Sequence, residues 1–172
     1  MTERKREYAF ISYLEKLRDA KDRAALARLR RGLGKKMGTP EMFPYVVPFL
    51  PKGRQQQERY FLIAALFAMH PEPAPAGVTM GSVFNRMWGG QKSMERRFAN
   101  LLSADSEDIG DNLRRAVSLA KSKGQSVDYH QLLYDLSYWD HPDRFIQLAW
   151  ARDFWRNVNQ ERIAIETKGA LS

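Results

Sequence analysis

Apolar side chains recur every three to four positions near the start of the chain, with charged residues between them. This spacing over residues 8–17 predicts a first amphipathic helix. A second segment with the same spacing runs from Asp22, which suits the cap of a helix N-terminus, to about Arg31. Gly32 and Gly34 follow and indicate its end. The pattern therefore predicts two helices at the start of the chain.

Glycine and proline are dense over residues 32–53, which excludes a long helix or a central strand there. We expect the apolar residues of this segment to tuck against the core in short turns; they are Met42, Phe43, Tyr45, Val46, Val47, Phe49 and Leu50. Residues 55–70 are then apolar nearly all round, which predicts a buried central helix. Residues 71–77 are rich in proline and predict an extended surface segment.

The second half of the chain shows the same helical spacing. We predict helices near residues 81–88, 93–102 and 107–123, a helix capped by Asp128, and a last helix that opens at Pro142. Ser93 suits the cap of the helix at 93–102. No segment of the sequence alternates with the two-residue period of a half-buried strand. The fold class that follows is all-α.

The proline-rich segment is the clearest break in composition, and we place a boundary between two lobes there. A chain of 172 residues is long enough to bury a substantial core. The expected architecture is a two-lobed helical bundle, with an N-terminal helical lobe at residues 1–76, a C-terminal helical lobe at residues 77–160 and a flexible tail at residues 161–172.

The charge balance favours a polyanionic partner. The chain has 28 Lys and Arg against 20 Asp and Glu, a formal net charge of +8, and nucleic acid is the favoured partner of a basic chain of this size. Cysteine is absent, which excludes disulfides and thiolate chemistry. The N-terminus lacks the apolar region of a signal peptide, and the apolar stretch at 60–69 is about half as long as a membrane-spanning helix requires. We expect a cytoplasmic protein without a membrane partner.

No convergent set of catalytic or metal-binding residues stands out in the sequence. The three histidines lack metal-ligand spacing. Four carboxylates cluster at the start of the helix predicted at 107–123, where they complement the helix dipole; they are Asp105, Glu107, Asp108 and Asp111. Residues 32–38 lack the Lys-Ser/Thr pair of a phosphate-binding P-loop. We expect no enzymatic activity, no metal ion and no cofactor.

The helix predicted at 107–123 carries a basic face. At 100° per residue, one side is apolar and the other holds cations interleaved with small hydroxyls, namely Arg114, Arg115, Ser118, Lys121 and Ser122. Such a face suits contacts with the sugar-phosphate backbone, because Arg and Lys neutralise phosphate and Ser donates a hydrogen bond. Together with basic positions on other segments, the candidate nucleic-acid-binding residues are Arg28, Arg30, Arg31, Lys35, Arg96, Arg97, Arg114, Arg115, Lys121, Lys123, Arg144 and Arg152.

The same residues have a less specific interpretation. Ordinary solvated helix faces also carry basic residues beside acidic ones, as at Glu95 with Arg96 and at Asp153 with Arg156. Four aromatic residues could stack on bases, but their helical spacing favours core packing; they are Trp139, Trp150, Phe154 and Trp155. The basic faces alone therefore leave both interpretations open.

Several sequence runs occur in the order and spacing of a known family. In the first half they are RAALARLRRGLG at 23–34, PYVVPFLP at 44–51 and FLIAALFAMHP at 61–71. In the second half they are ERRF at 95–98, LRRAVSLAKSKG at 113–124, VDY at 127–129 and WARDFW at 150–155. Over about residues 8–156 the chain resembles the CasB family, the small subunits of the type I-E CRISPR Cascade complex.

The resemblance implies an all-helical, two-lobed protein without enzymatic activity that sits as a pair inside an RNA-guided surveillance complex. The implied partners are the large subunit and the backbone subunits of Cascade, a second copy of the chain, and the backbones of guide RNA and target DNA, whose R-loop it stabilises. The resemblance extends to the basic residues inside matching segments: Arg28, Arg30, Arg31, Arg96, Arg97, Arg114, Arg115, Lys121, Lys123 and Arg152.

Three alternatives remain at this stage. A free-standing DNA-binding regulator would use the second helix for recognition, although that helix lacks the Asn and Gln that read bases. A helical protein-interaction scaffold would use its basic faces against acidic proteins, and competition with single-stranded DNA would separate it from a nucleic-acid-binding subunit. A nuclease or RNA-processing enzyme is the least favoured, because no acid, base or metal set converges.

Overall fold

The computed structural model describes the backbone of residues 1–171 and the side chains of residues 1–156 and 166–171. The helices are α1 (Glu3–Asp19), α2 (Arg23–Arg30), α3 (Phe43–Val46), α4 (Arg54–Met69), α5 (Met80–Trp88), α6 (Lys92–Ser103), α7 (Ile109–Ser122), α8 (Tyr129–Ser137) and α9 (Phe145–Leu171), with 3₁₀ turns at Pro40–Met42 and Val47–Phe49. No strand occurs among residues 1–171, and the all-α prediction is confirmed.

Among the helix starts that a side chain caps are those of α2 and α8. Asp22 accepts a hydrogen bond from the Ala25 amide at 3.0 Å, and Asp128 accepts one from the Gln131 amide at 3.1 Å, as predicted for both. The second carboxylate oxygen of Asp128 also accepts a hydrogen bond from the Gly77 amide at 2.7 Å. Asp128 therefore caps α8 and at the same time anchors the end of the proline-rich segment.

Two predicted helix starts are wrong. Helix α6 begins after Gln91, and no side chain caps it, so Ser93 lies inside the helix rather than at its cap. Helix α9 begins at Phe145 rather than at Pro142, because Arg144 has a positive φ of 52° that interrupts the helical backbone. The Arg144 guanidinium donates to the Leu102 carbonyl at 2.9 Å and holds this turn against the end of α6.

Helix α4 lies at the centre of the core, as the sequence predicts. Eight of its residues are buried, from Tyr60 to Ala68, and it packs against α2, α7 and α8. A second packed region joins α5, α6 and α9 through aromatic rings: the Phe154 centroid of α9 lies 5.3 Å from that of Trp88 in α5 and 4.4 Å from that of Phe98 in α6. The buried residues form a hydrophobic cluster that runs through both regions.

The segment between α2 and α4 buries only part of its apolar set. Met42 and Val46 are fully buried, one helical turn apart. Phe43 and Val47 occupy the opposite side of the same turn and are 42% and 48% exposed. The expectation that every apolar residue of this segment tucks against the core is therefore wrong for Phe43 and Val47, since one short turn cannot face the core on both sides.

Helices from before and after the proline-rich segment pack on each other. The Tyr129 hydroxyl in α8 donates to the carbonyls of Leu66 and His70 at 3.0 and 2.7 Å, and Ser137 donates to the Glu7 carboxylate in α1 at 2.5 Å. The division into lobes at 1–76 and 77–160 stays a prediction. In the part of the chain that the structure describes, no helix is long and apolar enough to cross a membrane.

The predicted flexible tail at 161–172 coincides with the end of α9, whose backbone continues as a helix to Leu171. Ser172 and the side chains of residues 157–165 lie outside the described residues. The flexibility of this tail stays a prediction.

Candidate nucleic-acid interface

Helix α7 has the amphipathic character that its sequence predicts. Its buried residues are Ile109, Leu113, Ala116, Val117 and Ala120, and its exposed face carries Arg114, Arg115, Ser118, Lys121 and Ser122. Asp105 forms the turn before the helix by accepting hydrogen bonds from the amides of Glu107 and Asp108 at 2.9 and 3.0 Å. After the helix, Gly124 reverses the chain with a φ of 67°. The basic face is thus fixed by a core-facing stripe and by turns at both ends.

A shallow open groove of about 630 Å³ runs between α6 and α7. Three arginines line it: Arg97, Arg114 and Arg115. Ser118 and Ser122 line the same groove and add hydroxyl donors, whereas Asp111 adds one negative charge. Cations mixed with hydroxyls are the donors that sugar-phosphate backbones attract.

A second open groove, of about 790 Å³, joins the other end of α7 to α2 and the proline-rich segment. Arg23 and Arg30 line it from α2, and Lys121 lines it from α7. Arg23 and Arg30 are seven residues apart and therefore share a face of α2. Sequence reasoning included Arg30 but missed Arg23, which this spacing could have revealed.

The loop between α2 and the first 3₁₀ turn places its lysines beside α7. Lys35, Lys36 and Arg114 line a common crevice, and the Arg114 guanidinium lies only 3.3 Å from where a side chain on Gly34 would begin. Lys36 forms an ion pair with Glu107, and this hydrogen bond raises the pKa of the Lys36 ammonium. Arg114 therefore belongs both to the crevice and to the groove between α6 and α7.

Together these cations form a stripe along α7, which we call the basic track. Its members are Arg23, Arg30, Lys35, Arg97, Arg114, Arg115 and Lys121. Arg114 and Lys121 are seven residues apart on the exposed face, about 10 Å along the helix axis. The track draws cations from α2, the loop after it, α6 and α7, so it exists only in the folded chain.

Three of the predicted site residues are held by other groups of the protein. Arg28 donates to the Tyr45 hydroxyl at 2.8 Å, and Arg31 forms an ion pair with Glu41 at 2.5 Å. Arg144 bonds the Leu102 carbonyl as described above. Arg96, Lys123 and Arg152 are exposed but do not line the two grooves of the track.

The other candidate chemistries have structural explanations. Among the residues with described side chains, no group of three or more His, Cys, Asp or Glu is arranged to hold a metal ion. Asp105 and Glu107 are engaged in the turn and in the ion pair with Lys36. Trp139, Trp150 and Phe154 are buried, so they pack in the core as the sequence pattern favours.

The comparisons with known proteins agree with this fold. The family model of CRISPR-associated protein Cse2 matches residues 25–155. CRISPR-associated protein Cse2 of Thermus thermophilus is 36% identical over 151 residues, covering 85% of this chain and 88% of that protein. The crystal structure of CasB from Thermus thermophilus has a TM-score of 0.75 at 34% identity, over 90% of this chain and 99% of that one.

A chain from a structure of a CRISPR RNA-guided surveillance complex shares the fold, with a TM-score of 0.78 at 23% identity, over 94% of this chain and 98% of that one. The resemblance found in the sequence runs is confirmed by the family model, by the curated relative and by the crystal structure of CasB. The chain belongs to the Cse2 family of CRISPR-associated proteins, the family of CasB.

Proposed function

We propose that this protein is a non-catalytic subunit of a cytoplasmic, RNA-guided CRISPR surveillance complex that binds the backbones of guide RNA and target DNA and stabilises the R-loop. Its partners in this proposal are the large and backbone subunits of the complex and a second copy of the chain. Membership of the Cse2 family supports the assembly. The observation that carries the nucleic-acid contact is the basic track along α7.

The composition of the track suits a role in which base identity is read elsewhere. Arg and Lys neutralise phosphates, and serine hydroxyls donate to phosphate or sugar oxygens, but neither reads a base in this arrangement. In an RNA-guided complex, sequence is read by pairing between guide and target, and the protein needs a positive surface that tolerates any sequence. The track therefore fits a subunit that holds strands in place.

The experiment is a fluorescence-anisotropy titration of the full chain with unrelated single-stranded and duplex oligonucleotides across several salt concentrations. For a backbone-tracking protein we expect binding that ignores sequence and falls with salt, at a log–log slope of about −0.7 to −0.9 per phosphate contact. Changing Arg114 and Arg115 to Glu should weaken binding about tenfold or more and flatten this slope.

The matched control is Arg86→Glu, an exposed charge reversal on α5, outside the track. We expect its affinity to stay close to that of the unaltered protein. The double variant changes the net charge by twice as much as Arg86→Glu. A loss of affinity in Arg86→Glu that is half of the loss in the double variant, on a logarithmic scale, would therefore show that overall charge rather than the track governs binding. Preference for one duplex sequence would favour a DNA-binding regulator, and displacement of an acidic protein but not of DNA would favour a protein-interaction scaffold.

A further inference from the structure

A crevice of about 160 Å³ opens beside the basic track, between the loop after α2, the middle of α4 and the start of α7. Its apolar walls are Leu33, Leu62, Ala65, Ile109, Leu136 and Trp139. The basic face of α7, taken alone, gives no reason for an apolar recess at this place. The apolar walls of the crevice suit an occupant other than a phosphate.

The size of the crevice fits a single planar ring. A cavity of about 150 Å³ with apolar walls is known to hold benzene. The rest of the lining is polar. Arg59 and Ser106 belong to it and both donate to Asp140, at 2.9 and 2.5 Å, and the carboxylates of Glu58, Glu107 and Asp111 also line the crevice. A ligand that combines a flat apolar face with polar edges would match both kinds of lining.

The position of the crevice indicates where such a ring comes from. Arg114 lines the crevice and also the groove of the track, so a phosphate at Arg114 would bring its own nucleotide to the mouth of the crevice. Lys35 and Lys36 lie on the same rim. A base held in a duplex cannot turn into the crevice, whereas an unpaired base can, and transfer of its ring from water to apolar walls is favourable.

We infer that this crevice binds one unpaired nucleobase of a strand whose phosphates lie on the basic track. This inference rests on the proposed function, because the track must first hold the strand. A bound base would make the protein prefer unpaired strands over duplexes, a preference that phosphate contacts alone do not give. The base can belong to DNA or RNA, since both present the same flat faces and polar edges.

Gly110 offers a way to fill the crevice without changing charge. It lies in the first turn of α7 and lines the crevice, and a methyl group there would make only ordinary contacts with Leu62, at 3.8 and 3.9 Å. Gly110→Ala should therefore fold normally and leave the crevice open. Gly110→Leu places a larger side chain beside Leu62, where it occupies the space of the base.

The test compares an intact single strand with an abasic strand that has the same number of phosphates. We expect the unaltered protein to bind the intact strand about tenfold more tightly, as expected for one buried base. Gly110→Ala serves only as a control for folding. Gly110→Leu should bind both strands as weakly as the unaltered protein binds the abasic one. Parallel DNA and RNA series show which strand supplies the base.

A second measurement does not depend on a variant. A single photoreactive base, 5-iodouracil in DNA or 4-thiouracil in RNA, should cross-link the unaltered protein at the residues that line the crevice, mapped by mass spectrometry. Three results would overturn the inference while the basic track stands. They are equal affinity of the unaltered protein for intact and abasic strands, a preference for the intact strand that Gly110→Leu retains, and cross-links at residues outside the crevice. Failure of both strands to bind at low salt would instead contradict the track itself.

Discussion

Asp135 is a carboxylate buried between α8 and α9, where few charged residues are stable. Gln131 donates to it at 2.8 Å within α8, and the Trp150 indole donates to it at 2.7 Å from α9. Burial raises the pKa of Asp135 to about 6 from an ordinary value of 3.8, although both hydrogen bonds act to lower it. The residue joins two helices, and its burial makes it hold a proton more tightly than an exposed aspartate does.

This pKa predicts how stability depends on pH. The folded protein binds the Asp135 proton more tightly than the unfolded chain does. The stabilisation that this proton gives the folded state is therefore fully present below pH 3.8 and is lost as pH rises through about 6. Relative to Asp135→Asn, which cannot ionise, the unaltered protein should therefore lose on the order of 1–3 kcal/mol of unfolding free energy between about pH 4 and pH 7.

Chemical denaturation of both proteins at several pH values measures this difference. Ionisable groups common to the two proteins, including Glu7, whose pKa burial also raises, cancel in the subtraction. A difference between the proteins that stays constant from about pH 4 to pH 7 would contradict the assignment of this pH dependence to Asp135.

At the scale of elements, the crossing of α5 and α9 depends on a glycine. A side chain on Gly81 would begin 2.0 Å from the Trp150 carbonyl oxygen, a contact with backbone that no side-chain rotation relieves. The sequence predicts both helices but not this crossing, because glycine near a helix start is ordinarily a sign of a chain break. The close approach allows Phe154 of α9 to pack under α6 and against Phe98.

Two glycine-to-alanine variants at equivalent positions test this crossing. Gly81 and Gly110 are each the second residue of their helix, but only Gly81 faces a neighbouring backbone. We expect Gly81→Ala to lower the free energy of unfolding by about 3 kcal/mol, since α5 and α9 must separate to admit the methyl group. Gly110→Ala should raise it by about 0.4–1 kcal/mol through the lower entropy of the unfolded chain.

Urea unfolding of the two variants and of the unaltered protein gives these values. A Gly81→Ala variant as stable as Gly110→Ala would show that α9 shifts freely on α5.

Across the whole molecule, the sequence pattern was sufficient to predict the features that depend on a single helix. It predicts the caps at Asp22 and Asp128, the burial of α4 and the basic face of α7. It could not predict which cations converge, because that depends on how helices cross. At the end of α2, Tyr45 engages Arg28 and Glu41 engages the next residue after the helix, Arg31, whereas Arg30 lines a groove with Lys121.

The track also depends on both sides of the proline-rich segment, since Arg30 precedes it and Lys121 follows it. Two contacts near the end of α4 hold the sides together. The Tyr129 hydroxyl bonds the carbonyls of Leu66 and His70, and the His70 ring lies 2.6 Å from the Gln125 carbonyl oxygen. The connecting segment itself is exposed at Glu72, Pro73 and Pro75. Packing, rather than the linker, should therefore maintain the track.

A protease site placed between Pro73 and Pro75 tests this dependence. After cleavage, we expect the two fragments to elute together, to unfold in a single transition and to keep the affinity of the intact chain for single-stranded DNA, because the helices on both sides bury apolar surface against each other. Size-exclusion chromatography, thermal unfolding and anisotropy measure the three properties on one sample. The same site, left uncut, is the control for the insertion. Fragments that separate while each remains folded would show two lobes that fold independently, and loss of binding on separation would then show that the track spans both.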